Sequence, residues 1–274
     1  MNCPSIVLRT EKEVQFARRD GMLSLGIDSG STMTKGVLFD GKEIVLSRMM
    51  PTSMNPQKVI YELYHQMYSQ DIKVVVTTGY GRQLLSEADF NITEITCHAA
   101  GAFFLNPQCD SVIDIGGQDC KAMILNEEGK VIDFLMNDKC AAGTGRFLEM
   151  IMSRAERKMN ELDSFVEGCS PVTINSMCAV FAESEMIGLL AQGENPGNIV
   201  LGCVDSVCKR TAIFAQKLAP MKKVFFSGGL AQSQIMRTKL KQYLNAVEVT
   251  TDPQCQYVGA FGAAILGYQR YVYK

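Results

Sequence analysis

No apolar run in this sequence approaches the roughly 18 residues that a membrane-spanning helix needs. The charges Arg9, Glu11, Lys12, Glu13, Arg18, Arg19 and Asp20 also rule out a secretory apolar core near its start. The expectation is a cytoplasmic chain with no membrane partner. There is no basic block and no interleaving of basic and aromatic residues, and the net charge is -2. That balance gives no electrostatic case for nucleic acid. The 10 cysteines include no C-x-x-C pair and no small-scaffold spacing, so they read as reduced thiols or metal ligands and not as a disulfide framework.

What is present begins with length: 274 residues can bury a large core and build two lobes. Two cysteines then stand apart from the rest. Asn137-Asp-Lys-Cys140-Ala-Ala-Gly-Thr-Gly-Arg-Phe-Leu-Glu149 places a cysteine where a helix is expected to open, beside glycines. Free N–H groups and the helix dipole favour a thiolate at such a point. Asn175-Ser-Met-Cys178 repeats the asparagine three residues before the cysteine, and a helical composition follows it. Two thiolates do not complete a tetrahedral site, but a symmetric dimer supplies four, the number taken by an iron-sulfur cluster or a structural zinc. Cys97, Cys203, Cys208 and Cys255 sit among small apolar residues and read as core.

Nucleotide chemistry is written in a repeated hairpin. Leu23–Asp28 reads as a buried strand, Ser29–Lys35 as a Gly-rich turn, and Gly36–Asp40 as a returning strand. Backbone N–H groups at Gly30 and the hydroxyls of Ser29, Ser31 and Thr32 can cradle phosphate, Lys35 can reach one, and Asp28 can hold Mg2+ through water. The alternative is an ordinary tight hairpin. Ser111–Asp114, Ile-Gly116-Gly117-Gln118-Asp119 and Lys121–Leu125 repeat the pattern 86 positions later, from Asp28 to Asp114. Duplicated lobes with a nucleotide held between them are expected. Val224–Ser227 followed by Gly228-Gly229 reads as a strand entering a turn that either admits adenine or only reverses the chain.

Between these motifs the periodicity predicts a helix over 56–70, a strand over 71–78, a helix over 82–88, a strand over 91–95 and a small-residue helix from Cys97 to Phe104. In the second half it predicts a strand over 131–136 and helices over 146–159 and from Asn198 through Ala219, with a closing helix over 257–265. The alternation gives an α/β layered fold.

Taken together, Gly26–Lys35, Asp114–Asp119, Ser227–Ala231 and Gly259–Ala264 resemble the nucleotide site of the actin, hexokinase and Hsp70 superfamily. Glu94 and the helix after it resemble its first hinge element. The two cysteine segments resemble those of the activators of 2-hydroxyacyl-CoA dehydratases, a family that includes benzoyl-CoA reductase ATPase subunits. The resemblance runs from about residue 23 to 268 and leaves an N-terminal extension, residues 1–21, outside it.

It implies an actin-like ATPase fold of two ribonuclease H-like lobes, 22–108 with 257–274 and 109–256. It also implies ATP or ADP with Mg2+, and one 4Fe-4S cluster ligated by Cys140 and Cys178 of both chains of a homodimer. Asp28 would position Mg2+, and Ser31, Thr32 and Lys35 the phosphates. Glu94 and Asp114 would serve the metal or the attacking water, Gly228 and Gly229 the adenosine. The implied partners are a dehydratase-like iron-sulfur enzyme and a ferredoxin or flavodoxin as electron donor. A small-molecule kinase of the same superfamily, a benzoyl-CoA reductase-type subunit, and a scaffold protein with a four-cysteine zinc are the rival readings.

Overall fold

The computed structural model describes residues 21–138, 141–175, 179–246 and 248–273. The N-terminal extension up to residue 20 and both Cys140 and Cys178 lie outside the described residues. In chain order the elements are β1 (Leu23–Ser29), β2 (Met33–Phe39), β3 (Ile44–Pro51), α1 (Pro56–Met67), β4 (Ile72–Gly79), β5 (Phe90–Asn91) and α2 (Glu94–Leu105). Then come β6 (Ser111–Ile115), β7 (Cys120–Leu125), β8 (Val131–Asn137), α3 (Gly145–Arg154), α4 (Leu162–Phe165) and α5 (Ala179–Ala191). The chain continues through α6 (Pro196–Ala215), β9 (Lys223–Ser227), α7 (Gln234–Leu244), β10 (Glu248–Thr250) and α8 (Val258–Val272).

The chain forms two compact units. Among the described residues, one takes 21–107, Glu127–Val131 and 256–273; the other takes those within Gln108–Asn126 and Ile132–Cys255. Each holds one five-stranded sheet, ordered β3-β2-β1-β4-β5 and β10-β9-β6-β7-β8. Read from opposite edges, β6, β7 and β8 stand where β1, β2 and β3 stand, and β9 and β10 where β4 and β5 stand. In each unit the first two strands pair antiparallel, and the first pairs parallel with the fourth. A parallel step needs a crossover, and α1 supplies it in the first unit.

In the first unit, Asn55 caps α1 by accepting from the Lys58 N–H at 3.1 Å, and Pro56 sets the first turn. Val59, Ile60, Leu63, Tyr64 and Met67 then form one buried stripe. α8 lies directly on β1 and α2. A Cβ at Gly26 would stand 2.0 Å from the Ala260 carbonyl oxygen, and one at Gly262 only 1.7 Å from that of Cys97. The small residues of the closing helix therefore serve its packing on α2.

In the second unit, α3 buries Phe147, Leu148, Ile151 and Met152. Each such side chain contributes about 1.5–3 kcal/mol by leaving water. Cys203, Cys208 and Cys255 are buried here, as Cys97 is in the first unit, in line with their reading as core.

Several boundaries differ from the sequence expectation. Residues 82–88 form turns, with Arg82 donating to Gly79 and Leu84 to Gly81. The N–H groups of Arg82 and Leu84 are taken by single turns that begin at the left-handed Gly79 (φ +83) and at Gly81, so no helix propagates from them. The strand predicted over 91–95 ends at Asn91, because the Thr93 hydroxyl caps α2 by accepting from the Thr96 N–H. The helix predicted over 146–159 stops at Arg154, where Glu156 turns left-handed (φ 55) and the Arg157 N–H reaches back to the Met152 carbonyl at 2.9 Å. β2 begins at Met33, so Lys35 lies on the strand and not in the turn. The helix expected to open at Cys140 starts at Gly145, after a 3-10 turn over Ala141–Gly143.

Candidate functional site

In the first unit Asp28, 2% exposed, is the penultimate residue of β1. It stands opposite Lys35 of β2, and the Lys35 Nζ lies 3.8 Å from Asp28 Oδ2. The Lys35 side chain is 19% exposed, so its ammonium has solvent beside it and a path to an anion. Residues 30–32 make the turn, closed by the Gly30 N–H donating to the Met33 carbonyl at 3.2 Å. Thr52 braces it: its hydroxyl donates to the Gly30 carbonyl (2.9 Å) and its N–H to the Thr32 carbonyl (2.8 Å). The Thr32 hydroxyl is buried and meets no hydrogen-bonding group among the described residues. Such a group costs stability unless something bonds to it.

Two glycines press on the Asp28 carboxylate. A Cβ at Gly79 would stand 2.7 Å from Oδ1, and one at Gly259 would stand 2.8 Å from Oδ2 and 2.8 Å from His98 Nε2. His98 is one turn along α2 from Glu94, with Nε2 3.7 Å from Glu94 Oε1. Asp28, Glu94 and His98 thus gather at one end of the first sheet. Sequence reasoning missed His98; its position four residues after Glu94, on the same helix face, was the available signal.

The second unit repeats the hairpin with more charge beneath it. Asp114, 3% exposed, faces Lys121 across β6 and β7, with Lys121 Nζ 3.2 Å from Asp114 Oδ2 and 2.6 Å from Asp119 Oδ2. Ser227 of β9, the neighbour of Asp114 in register, donates its hydroxyl to Asp114 Oδ1 at 2.8 Å. The Gly116 N–H donates to the Asp119 carbonyl (2.9 Å), closing the turn that carries Gly117 and the exposed Gln118. Gly228 is left-handed (φ +92), and a Cβ there would meet the Ile115 carbonyl oxygen at 2.3 Å. Gly229 has open space where a Cβ would go. Sequence reasoning missed Lys121 and Ser227, although Lys121 follows Asp114 by the same seven positions that separate Lys35 from Asp28.

The β6–β7 turn also holds the segment after Cys140. The N–H groups of Gly145 and Arg146 donate to the carbonyls of Gly116 (2.9 Å) and Gly117 (3.0 Å), so α3 starts on the turn itself. Before Cys178, Asn175 donates its N–H (2.9 Å) and its amide (3.1 Å) to Glu185 of α5. Arg154 of α3 pairs with Glu183 of α5, linking the helices that follow the two cysteine segments. Burial pushes the thiols of Cys97, Cys109, Cys120 and Cys203 up to about 12, and that of Cys208 higher still. In the absence of a metal those five are therefore poor thiolate donors. A groove of about 890 Å³ lies between the end of β8, residues 171–174 and α6, and no residue of the β6–β7 turn lines it.

The profile of the BadF/BadG/BcrA/BcrD ATPase family matches residues 25–267. The chain belongs to this family. Among its relatives, the uncharacterized protein YjiL of Escherichia coli is 44% identical over 246 residues, 89% of this chain and 96% of that protein. The 2-hydroxyisocaproyl-CoA dehydratase activator of Clostridioides difficile is 40% identical over 255 residues, 90% of this chain and 95% of that protein. The solved structure of the Clostridium difficile activator with bound ADPNP superposes with a TM-score of 0.85 at 38% identity, over 92% of this chain and 96% of that one. The fold of this family member is the actin-like ATPase fold, with one ribonuclease H-like sheet in each unit. Among the described residues no helix is long and apolar enough to cross a membrane.

Proposed function

We propose that this member of the BadF/BadG/BcrA/BcrD ATPase family hydrolyses ATP to gate the transfer of a low-potential electron to an enzyme of the 2-hydroxyacyl-CoA dehydratase type. The observation that carries the reading is the pair of strand-end hairpins, each with a buried carboxylate under a Gly-containing turn, in a chain 40% identical to a dehydratase activator. In this reading Asp28 positions Mg2+ through water, and the turn at Gly30, Ser31 and Thr32 takes phosphate oxygens, with the buried Thr32 hydroxyl gaining a partner. Lys35, with its exposed path, neutralises phosphate charge. Glu94 and Asp114 orient the metal or the attacking water, Gly116, Gly117 and Gln118 offer a second turn, and Gly228 and Gly229 lie against the adenosine.

Cys140 and Cys178, from both chains of a homodimer, would hold one 4Fe-4S cluster, which supplies a one-electron couple when bound. The donor set fits it in number and kind, because two thiolates per chain make the four that one cubane takes. The Gly145 and Arg146 bonds to the β6–β7 turn tie the helix after Cys140 to the nucleotide-binding turn. A ferredoxin or flavodoxin is the expected electron donor.

Anaerobic purification followed by iron and acid-labile sulfide analysis tests the reading. Wild type should be a homodimer with about four Fe per dimer. Cys140→Ser and Cys178→Ser should each lose the iron while Cys203→Ser keeps it. Iron retained in both of the first two variants, or zinc in place of iron, would overturn the electron-transfer part. A benzoyl-CoA reductase-type role is the second reading, favoured by 31% identity over 262 residues to one of the subunits of benzoyl-CoA reductase from Thauera aromatica.

A further inference from the structure

The two hairpins place a lysine at the same register position, opposite the strand-end aspartate, yet the two lysines have different surroundings. Lys35 is 3.8 Å from one carboxylate and partly open to solvent. Lys121 has a side chain 1% exposed and sits 3.2 Å and 2.6 Å from two carboxylates, Asp114 and Asp119. An ammonium that buried has no path to a bound phosphate.

We propose that Lys121 is a positioning residue: it fixes the Asp114 carboxylate at the end of β6 and, through Asp119, the shape of the β6–β7 turn. The proposal rests on the nucleotide-hydrolysing reading of that turn. Three observations converge on it. Asp114 is held from both sides, by Lys121 on Oδ2 and by the Ser227 hydroxyl at 2.8 Å on Oδ1, so its orientation is set before any ligand arrives. Asp119 joins the same ammonium while its carbonyl accepts the Gly116 N–H at 2.9 Å, so the lysine anchors the residue that closes the turn. The turn is also tight against that carboxylate, since a Cβ at Gly116 would stand 2.2 Å from Asp119 Oδ1. Two carboxylates this close repel each other, and the ammonium between them is what makes the arrangement compatible with burial.

Steady-state ATP hydrolysis by the full-length protein separates positioning from ligand contact. Lys121→Met should lower kcat about thirtyfold with KM for ATP within about twofold of wild type, the signature of a misplaced group. Lys35→Met should do the reverse, raising KM about tenfold. A raised KM with unchanged kcat in Lys121→Met would make Lys121 a ligand contact and overturn the proposal.

Because Lys121→Met leaves two carboxylates buried without their cation, the variant carrying both Asp119→Asn and Lys121→Met restores the local charge. It should regain the wild-type melting temperature while kcat stays low. Recovery of full kcat would reduce Lys121 to a charge balancer and overturn the proposal. If Asp114→Ala turned over ATP like wild type while the Lys121 variants were slow, the reading of Asp114 would fail and the proposal with it.

Discussion

The hairpin β1–β2 and the hairpin β6–β7 share strand pairing, register and the placement of an aspartate opposite a lysine. They differ in what lies under the turn. Beside the first, Lys35 lies 3.8 Å from Asp28 with its side chain partly open to solvent; beneath the second, the buried Lys121 lies within 3.2 Å of both Asp114 and Asp119. The parallel neighbours differ as well. Ser227 donates to Asp114, whereas Thr78, the β4 residue in register with Asp28, stands beside the Cys97 thiol. Repeating a topology copies backbone geometry. The chemistry depends on one or two side chains the topology does not dictate, here Asp119 and Ser227.

The strongest challenge to this comparison is removal of each aspartate. Asp28→Ala and Asp114→Ala should each reduce ATP turnover by about 100-fold or more, the scale expected when one preorganised group at the reacting phosphate is lost. Phosphate release measured with each purified variant checks it, and a large loss in only one would show that the two hairpins are not functional equivalents.

Alkaline pH should separate the units next. Cys109, Cys120 and Cys203 of the second unit and Cys97 of the first have thiols raised from 9.0 to about 12 by burial. Their raised folded-state values mean that the stability they contribute is fully present below pH 9 and is lost as pH rises through that window, while the unfolded chain ionises. Each tenfold difference in ionisation is worth about 1.4 kcal/mol. Among the described residues the second unit has more such thiols, and it should unfold first above pH 10. Amide hydrogen exchange resolved by segment would show the order, and earlier opening of β1 and β2 would contradict it.

Smaller effects test the packing around the two aspartates. Gly259→Ala should cost about 2–3 kcal/mol in urea unfolding, because its Cβ meets the Asp28 carboxylate and His98 together. Ser227→Ala removes the 2.8 Å bond to Asp114 and should cost about 1–2 kcal/mol by the same measurement. The smallest change is expected from Gly229→Ala, which has open space and should stay within about 0.5 kcal/mol of wild type.

The sequence alone determined which residues stand at the strand ends. Apolar runs ending in Asp28 or Asp114 and soon followed by glycine can hardly be anything but buried strands entering turns, and the alternation of periods set the α/β class. Small apolar neighbours also marked Cys97, Cys203, Cys208 and Cys255 as core, and all four are buried.

Tertiary structure decided the rest, for physical reasons that lie outside any local window. Residues 82–88 have helical composition, but their hydrogen bonds go to turns beside Gly79. Glu94 moved from a strand to the first turn of a helix because Thr93 supplied a cap. Lys121 read as an ordinary strand residue; only pairing β6 with β7, and curling Asp119 back over Gly116, enclosed its ammonium between two carboxylates. A lysine's role follows from how many anions surround it and whether water can reach it, and for Lys121 of β7 the two anions are brought from β6 and the turn.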